Sequence, residues 1–159
     1  MLLNIIYGDI TKLKVDAIVN AANTMLKRGS GVCGAIFEAA GVDKLQVACD
    51  NLAPIQTGEA VLTHGFELPA KYIIHTVGPV YHNGKQNEEK LLYTAYINSL
   101  KCANENNCKS VAFPLISSGS YGYPKEEALQ VAKAAIGDFT TTYDIEVFLV
   151  LFETDSTEF

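Results

Sequence analysis

The chain has 159 residues, of which 48% are hydrophobic and 19% charged. That length suits a single domain, and that composition excludes intrinsic disorder. With 12 Lys+Arg against 18 Asp+Glu the formal net charge is −6, which excludes the basic field of a nonspecific duplex-DNA or anionic-membrane binder. Any anionic ligand must therefore be held by local groups. No apolar run reaches the ~20 residues of a membrane span. The segment from Met1 to Asp9 has neither the basic start nor the cleavage site of a secretory signal. Cysteines stand at 33, 49, 102 and 108, with no C-x-x-C pair and no nearby histidine among positions 64, 75 and 82. This pattern reads as reduced thiols in a cytoplasmic protein, with no zinc site and no disulfide framework.

In chain order, Leu2–Tyr7 and Ala17–Asn20 read as strands. An Ala-rich helix follows over Val32–Ala40, ending at Gly41, and a second over Asp43–Leu52 starts from Asp43 as N-cap and stops before Pro54. Ala60–His64 and Tyr72–Val77 are the next strands. The longest helix, Asn87–Asn106, places Leu91, Leu92, Ala95, Tyr96, Leu100 and Ala103 near helical spacing. Strand Val111–Ile116 leads to a helix over Pro124–Phe139, with Pro124 at N1 and Glu126 and Glu127 in the first turn, where they suit the helix dipole. Ile145–Leu151 is the last strand. The alternation, with several wholly apolar strands, predicts a three-layer α/β/α sandwich. No linker, repeat or low-complexity tract divides it, so residues 1–159 read as one domain.

Two loops leave a strand, enter a helix and are rich in small residues: Asn20–Gly34 and Ser117–Pro124. Ligands of open α/β sheets sit beyond the carboxyl ends of strands. Glycine lets backbone N–H groups approach an anion, and a helix N-terminus adds unpaired donors. Either loop alone reads as a turn; two in one small domain point to phosphate binding. Gly29-Ser30-Gly31-Val32-Cys33-Gly34 also matches G-x-G-x-x-G, the nicotinamide-dinucleotide fingerprint. Its context fails, because Ala21–Arg28 intervenes after the strand, and Asp50, the nearest candidate for the acid expected to close a second strand about 20 residues on, falls in a helix. A Walker A loop fails as well, since no G-K-S/T occurs.

Several motifs occur together: Gly8-Asp9-Ile10-Thr11, Val15–Asn23, the run Gly29–Gly34 with Ala35-Ile36 and Ala39-Ala40-Gly41, Ile74–Pro79, and Pro114–Pro124. In this order the chain resembles the macrodomain family of ADP-ribose-binding proteins, from Gly8 to about Phe152, and most of all the branch that removes mono-ADP-ribose from acidic side chains. The resemblance implies a mixed, mostly parallel sheet between helices, with ADP-ribose across the two glycine loops. It implies that Asp9 accepts from the adenine amino group, with the Ile10 N–H beside it, and that Phe152 packs on the adenine. Gly31, Val32 and Cys33 would present donors to the phosphates from one side, and Ser118, Gly119, Ser120, Tyr121 and Gly122 from the other. Asn23 would hold the distal ribose, Asn20 would shape the loop, and Tyr121 would cover the sugar. The catalytic candidates are thus Asn23, Cys33 and Tyr121.

The residues themselves leave alternatives open. Asp9 also reads as an N-cap for Ile10–Leu13, Asn23 as an Asx turn, Phe152 as core and Tyr121 as a turn residue. His75, in an apolar strand, reads as a hydrogen-bonded core histidine. Many hydrolytic members carry an aspartate where this chain has Cys33, so a candidate general base is absent, and a small side chain beside the phosphates outweighs a nucleophile there. The implied reaction is hydrolysis of ADP-ribosyl esters of Asp or Glu, and of O-acetyl-ADP-ribose, without metal or organic cofactor. The implied partners are ADP-ribose and ADP-ribosylated proteins; no membrane, no nucleic acid and a monomeric state are expected. A non-catalytic reader of ADP-ribose is the competing reading.

Overall fold

The computed structural model describes residues 3–151. Phe152 and the tail that follows it lie outside the described residues, as does Leu2. Strands β1 (Leu3–Tyr7), β2 (Ala17–Ala21), β3 (Ala60–His64), β4 (Tyr72–Thr76), β5 (Ser110–Pro114) and β6 (Glu146–Leu151) form one sheet. Its order is β1-β6-β5-β2-β4-β3. Only β3 runs antiparallel, beside β4; the other neighbours are parallel. Helices α1 (Gly31–Ala40), α2 (Val42–Asp50), α3 (Glu88–Glu105) and α4 (Lys125–Thr140) cover it.

Side chains alternate across a strand, and here the alternation sorts the core into two layers. Ala17, Val19, Ile74, Val111, Phe113, Val147 and Leu149 pack with Leu92, Tyr96 and Leu100 of α3 and Ala128, Ala132 and Ile136 of α4. Ile18, Ile73, Ala112 and Val150 pack instead with Ile36 and Phe37 of α1 and Leu45 and Cys49 of α2. The expected sandwich, mixed and mostly parallel, is the fold observed.

Most element ends differ from the sequence reading by one or two residues, and three of the differences have a structural cause. Asp43 is not the N-cap of α2. Gly41 holds that place at φ 111, its N–H donating to Phe37 O and its own carbonyl accepting from Leu45 N. One residue ends α1 and starts α2, a turn that needs a backbone conformation open to glycine. Asp43 sits within the first turn. Pro124 is the N-cap of α4 rather than N1, because its ψ of 128° is extended and its carbonyl takes the Ala128 N–H. Strand β5 stops at Pro114, and Leu115 and Ile116 leave the ladder.

That departure is secured by one buried hydroxyl. Tyr96 Oη accepts from Ile116 N at 3.1 Å and donates to Pro114 O at 3.3 Å, while its ring packs on Phe113. Tyr96→Phe keeps the ring and strands both backbone groups in a dry core, so stability is expected to fall by about 1–3 kcal/mol. Urea unfolding of the variant checks this; an unchanged midpoint would refute it.

Candidate functional site

Central strands β2 and β5 are parallel neighbours, yet their chains depart to opposite faces of the sheet. β2 leads to α1 on one face and β5 to α4 on the other. Such a switch opens a crevice at the carboxyl ends of the two strands. A cleft of about 220 Å³ lies there, lined by Ala21, Ala22, Asn23, Gly29, Ser30 and Cys33 from the first loop and Ser117, Gly119, Ser120 and Tyr121 from the second.

The first loop is braced by its own side chains. Asn23 Oδ1 accepts from Lys27 N at 3.0 Å, and Asn23 Nδ2 donates to Lys27 O at 2.8 Å. Each arm of the amide keeps one further hydrogen-bonding capacity. Gln46 of α2 donates to Leu26 O and accepts from Arg28 N. Both cations of the loop are turned away from the cleft: Lys27 pairs with Asp50 at 2.8 Å, and Arg28 pairs with Glu38. Among the described residues, no lysine or arginine lines the cleft. The first three N–H groups of a helix have no partner within it. In α1 these belong to Gly31, Val32 and Cys33, and the N-cap Ser30 supplies no side-chain bond to them. Cys33 Sγ faces Lys27 O at 3.7 Å and Asn20 Nδ2 at 3.6 Å.

The second loop spends some of its donors on itself. Ser118 N bonds Leu115 O, Gly122 N bonds Gly119 O, and Tyr123 N bonds Ser117 O. Among the described residues, the N–H groups of Gly119, Ser120 and Tyr121 have no such backbone bond. Of the residues expected to offer donors here, Ser118 and Gly122 thus serve the loop's own shape. Gly122 does so at φ 77, in the left-handed region.

Asp9 caps the short 3-10 helix Ile10–Lys12: its Oδ1 accepts from both Thr11 N and Thr11 Oγ1. Ile10 is buried beneath it. Neither residue lines the cleft just described, nor do Asn20, Gly31, Val32, Ser118 or Gly122. The structure therefore gathers Asn23, Cys33, Gly119, Ser120 and Tyr121 around one cavity, and the others are not part of its lining. Phe152 lies outside the described residues.

Asn20 is buried on the sheet floor beside its register partner His75. Its Nδ2 stands 3.1 Å from His75 Nδ1, and Thr63 Oγ1 stands 2.9 Å from His75 Nε2. Desolvation holds the His75 ring down at about 4 and therefore neutral. The core-histidine reading is the one observed. The Cys49 thiol, 3.9 Å from His75 Nε2, is pushed up to about 12, first by burial and then by Cys33 and Asp50.

Ser117 was given no role by the sequence reading. It lines the cleft, is only 6% exposed, and its hydroxyl has no hydrogen-bond partner among the described residues. Its backbone is held at φ 69. A Cβ at Gly78 would run into Ser117 Oγ and Ile116 Cγ2, so Gly78 makes room for this turn. Gly78 and Ser117 both stand in the quoted motifs, but nothing local to either segment says that they touch.

The Macro domain family model matches residues 19–132. A macro domain-containing protein of Chlorobaculum tepidum is 55% identical over 132 residues, covering 83% of this chain and 76% of that protein. An O-acetyl-ADP-ribose deacetylase of Escherichia fergusonii is 45% identical over 160 residues, covering 97% and 90%. Among solved structures, a mutant Oceanobacillus iheyensis macrodomain with ADPR superposes with a TM-score of 0.90 at 41% identity, covering 98% of this chain and 88% of that one. With the family model spanning most of its length and these relatives 83% to 98% of it, the chain belongs to the Macro domain family.

Proposed function

We propose that the chain binds ADP-ribose in the cleft between its glycine loops and hydrolyses esters carried on the distal ribose. The substrates are O-acetyl-ADP-ribose and mono-ADP-ribose esterified to Asp or Glu of proteins. One observation carries this reading: uncommitted backbone donors of Gly31, Val32 and Cys33 and of Gly119, Ser120 and Tyr121 border a cleft that no cation lines. Charge-assisted hydrogen bonds of this kind contribute about 1.5–3 kcal/mol each, so several suffice to hold a diphosphate. The names and ligand of the relatives support the same reading.

In this reading Asp9 turns its unused Oδ2 toward the adenine amino group, with the Ile10 N–H beside it, and Phe152 packs on the base. Asn23 uses the remaining capacity of its amide for the ribose diol, and Tyr121 covers the sugar. Asn20 shapes the floor. Ser118 and Gly122 hold the second loop in the conformation that frees the donors between them. Cys33 contributes its N–H and a small side chain. A water held by a phosphate oxygen and oriented by Asn23 attacks the ester carbonyl or the anomeric carbon and gives its proton to that phosphate; the ester C–O bond breaks, and the departing ribose oxygen or carboxylate takes the proton back. The protein supplies positioning and electrostatics.

The test is turnover. The purified protein is expected to release acetate from O-acetyl-ADP-ribose and ADP-ribose from a glutamyl-modified protein. Asn23→Ala should lower kcat by about tenfold or more while shifting the ADP-ribose Kd by less, since orientation is lost and the phosphate contacts stay. ADP-ribose binding without turnover of either ester would establish the reader instead. The thiol at position 33, standing where many hydrolytic members carry a carboxylate, is the feature that favours that second reading.

A further inference from the structure

On the sheet face opposite α1 and α2, a groove of about 610 Å³ lies between α3 and α4. Tyr81, Tyr93 and Tyr123 line it, with Glu89, Glu127 and Lys90 at its edges. Tyr123 is the informative residue. It is 5% exposed, and its ring packs against Tyr81 with centroids 4.8 Å apart. Its hydroxyl nonetheless makes no hydrogen bond among the described residues. The phenols of Tyr93 and Tyr96, by contrast, are both paired. The side of Tyr123 left open is the groove, so its hydroxyl is available there to a ligand.

The field in the groove is negative. The Tyr123 phenol is pushed up to about 12, first by burial and then by Glu89, Glu127, Tyr81 and Glu88. The N-termini of α3 and α4 each carry only about half a positive charge, against first-turn carboxylates at Glu88, Glu89, Glu126 and Glu127. Neither Glu89 nor Glu127 forms an ion pair among the described residues. Lys90 lines the groove without pairing to them. Two carboxylates, an unpartnered phenol oxygen and tyrosine faces together match a planar cation with several N–H donors, which is a guanidinium.

One short stretch of chain runs from the cleft to the groove. Tyr121 lines the cleft and Tyr123 lines the groove; two residues of chain span at most ~7 Å. The Tyr81 N–H donates to Tyr121 O at 2.8 Å, which ties the groove wall to the cleft wall.

We propose that this groove receives an arginine side chain of the protein that carries the ADP-ribosyl ester. The proposal rests on the hydrolase reading above and adds to it a reader of peptide sequence.

The experiment uses peptides bearing an ADP-ribosylated glutamate, with arginine placed in turn on either side of it, or neutral citrulline at the same position. O-acetyl-ADP-ribose is the peptide-free control. The arginine peptide is expected to have a kcat/KM about tenfold above its citrulline twin at low salt, the ratio falling as salt rises. Glu89→Gln with Glu127→Gln should bring the ratio close to one, and Tyr123→Phe should reduce it, both leaving O-acetyl-ADP-ribose turnover unchanged. Equal rates for the two peptides, or turnover of the control without turnover of either peptide, overturn the proposal and leave the hydrolase reading standing. Turnover of no substrate overturns the hydrolase reading instead. Calorimetric binding of the same peptides then decides the groove: a tighter arginine form supports it, and equal affinity ends it.

Discussion

Gly34→Ala is expected to lose about a hundredfold in ADP-ribose affinity and to unfold at lower temperature. Gly34 stands in the first turn of α1, where a Cβ would lie 2.5 Å from the Gly29 carbonyl oxygen and 3.5 Å from its carbon. Both neighbours are backbone, so no side chain can swing aside. Either the Gly29–Ser30 segment lifts off α1 or the helix itself shifts. Overpacking of this kind costs about 1–3 kcal/mol of stability. The same displacement moves Gly29 and Ser30, which line the cleft, away from the N–H groups of Gly31, Val32 and Cys33. Losing one or two charge-assisted bonds of about 1.5–3 kcal/mol each gives the stated drop in affinity. Gly137→Ala is the control. It lies in α4 with nothing within 4 Å of its added Cβ, so a small gain in stability and unchanged binding are expected. Calorimetric titration and thermal unfolding of both variants measure this. Wild-type affinity in Gly34→Ala would mean that the first loop does not hold the phosphates.

Stability is expected to fall between pH 6.5 and 4 by about 3 kcal/mol through His75 alone. The ring is fully buried, and desolvation holds it at about 4 against an ordinary value of 6.5. The Asn20 amide N–H₂ donates to Nδ1, so Nε2 carries the proton and donates to Thr63 Oγ1. A second proton on Nδ1 would set donor against donor. The unfolded chain takes up that proton as pH drops through 6.5 while the folded chain refuses it until about 4. His75 therefore contributes its full share above 6.5, progressively less below, and nothing more is lost once pH is under 4. Glu88 acts in a separate, more acid window. Burial raises its pKa, but the N–H groups of His82, Gln86, Gly84 and Asn83 outweigh this and hold the carboxyl down at about 2. Its share is intact above its ordinary value of 4.5 and is lost only toward 2. Urea midpoints at intervals from pH 7 to 4.5 separate the two groups. The slope in this range should flatten in His75→Gln. A wild-type midpoint that does not move between pH 7 and 5 would contradict a neutral buried ring.

How much of this was legible beforehand depends on the range of the interaction. Ala60–His64 was read with its observed limits because its pattern and its flanking turns are local. The two glycine loops and the core character of His75 were legible for the same reason. Asp43 was misplaced as a cap because the capping preference of Asp is also local, whereas Gly41 is fixed by the packing of α1 against α2. The internal use of the Ser118 and Gly122 N–H groups could not be read, since either residue type suits a loop that points its donors outward.

The amino-acid sequence by itself determined the alternation of strands and helices, the family motifs and the absence of a basic field, because each is written in neighbouring residues or in plain counts. Tertiary structure alone decided that β2 and β5 lie side by side and send their chains to opposite faces, which is what opens the cleft. It alone brought Ser117 over Gly78 and set Tyr123 in one groove with Glu89 and Glu127. Those facts rest on contacts between residues far apart in the chain, and no local pattern encodes them.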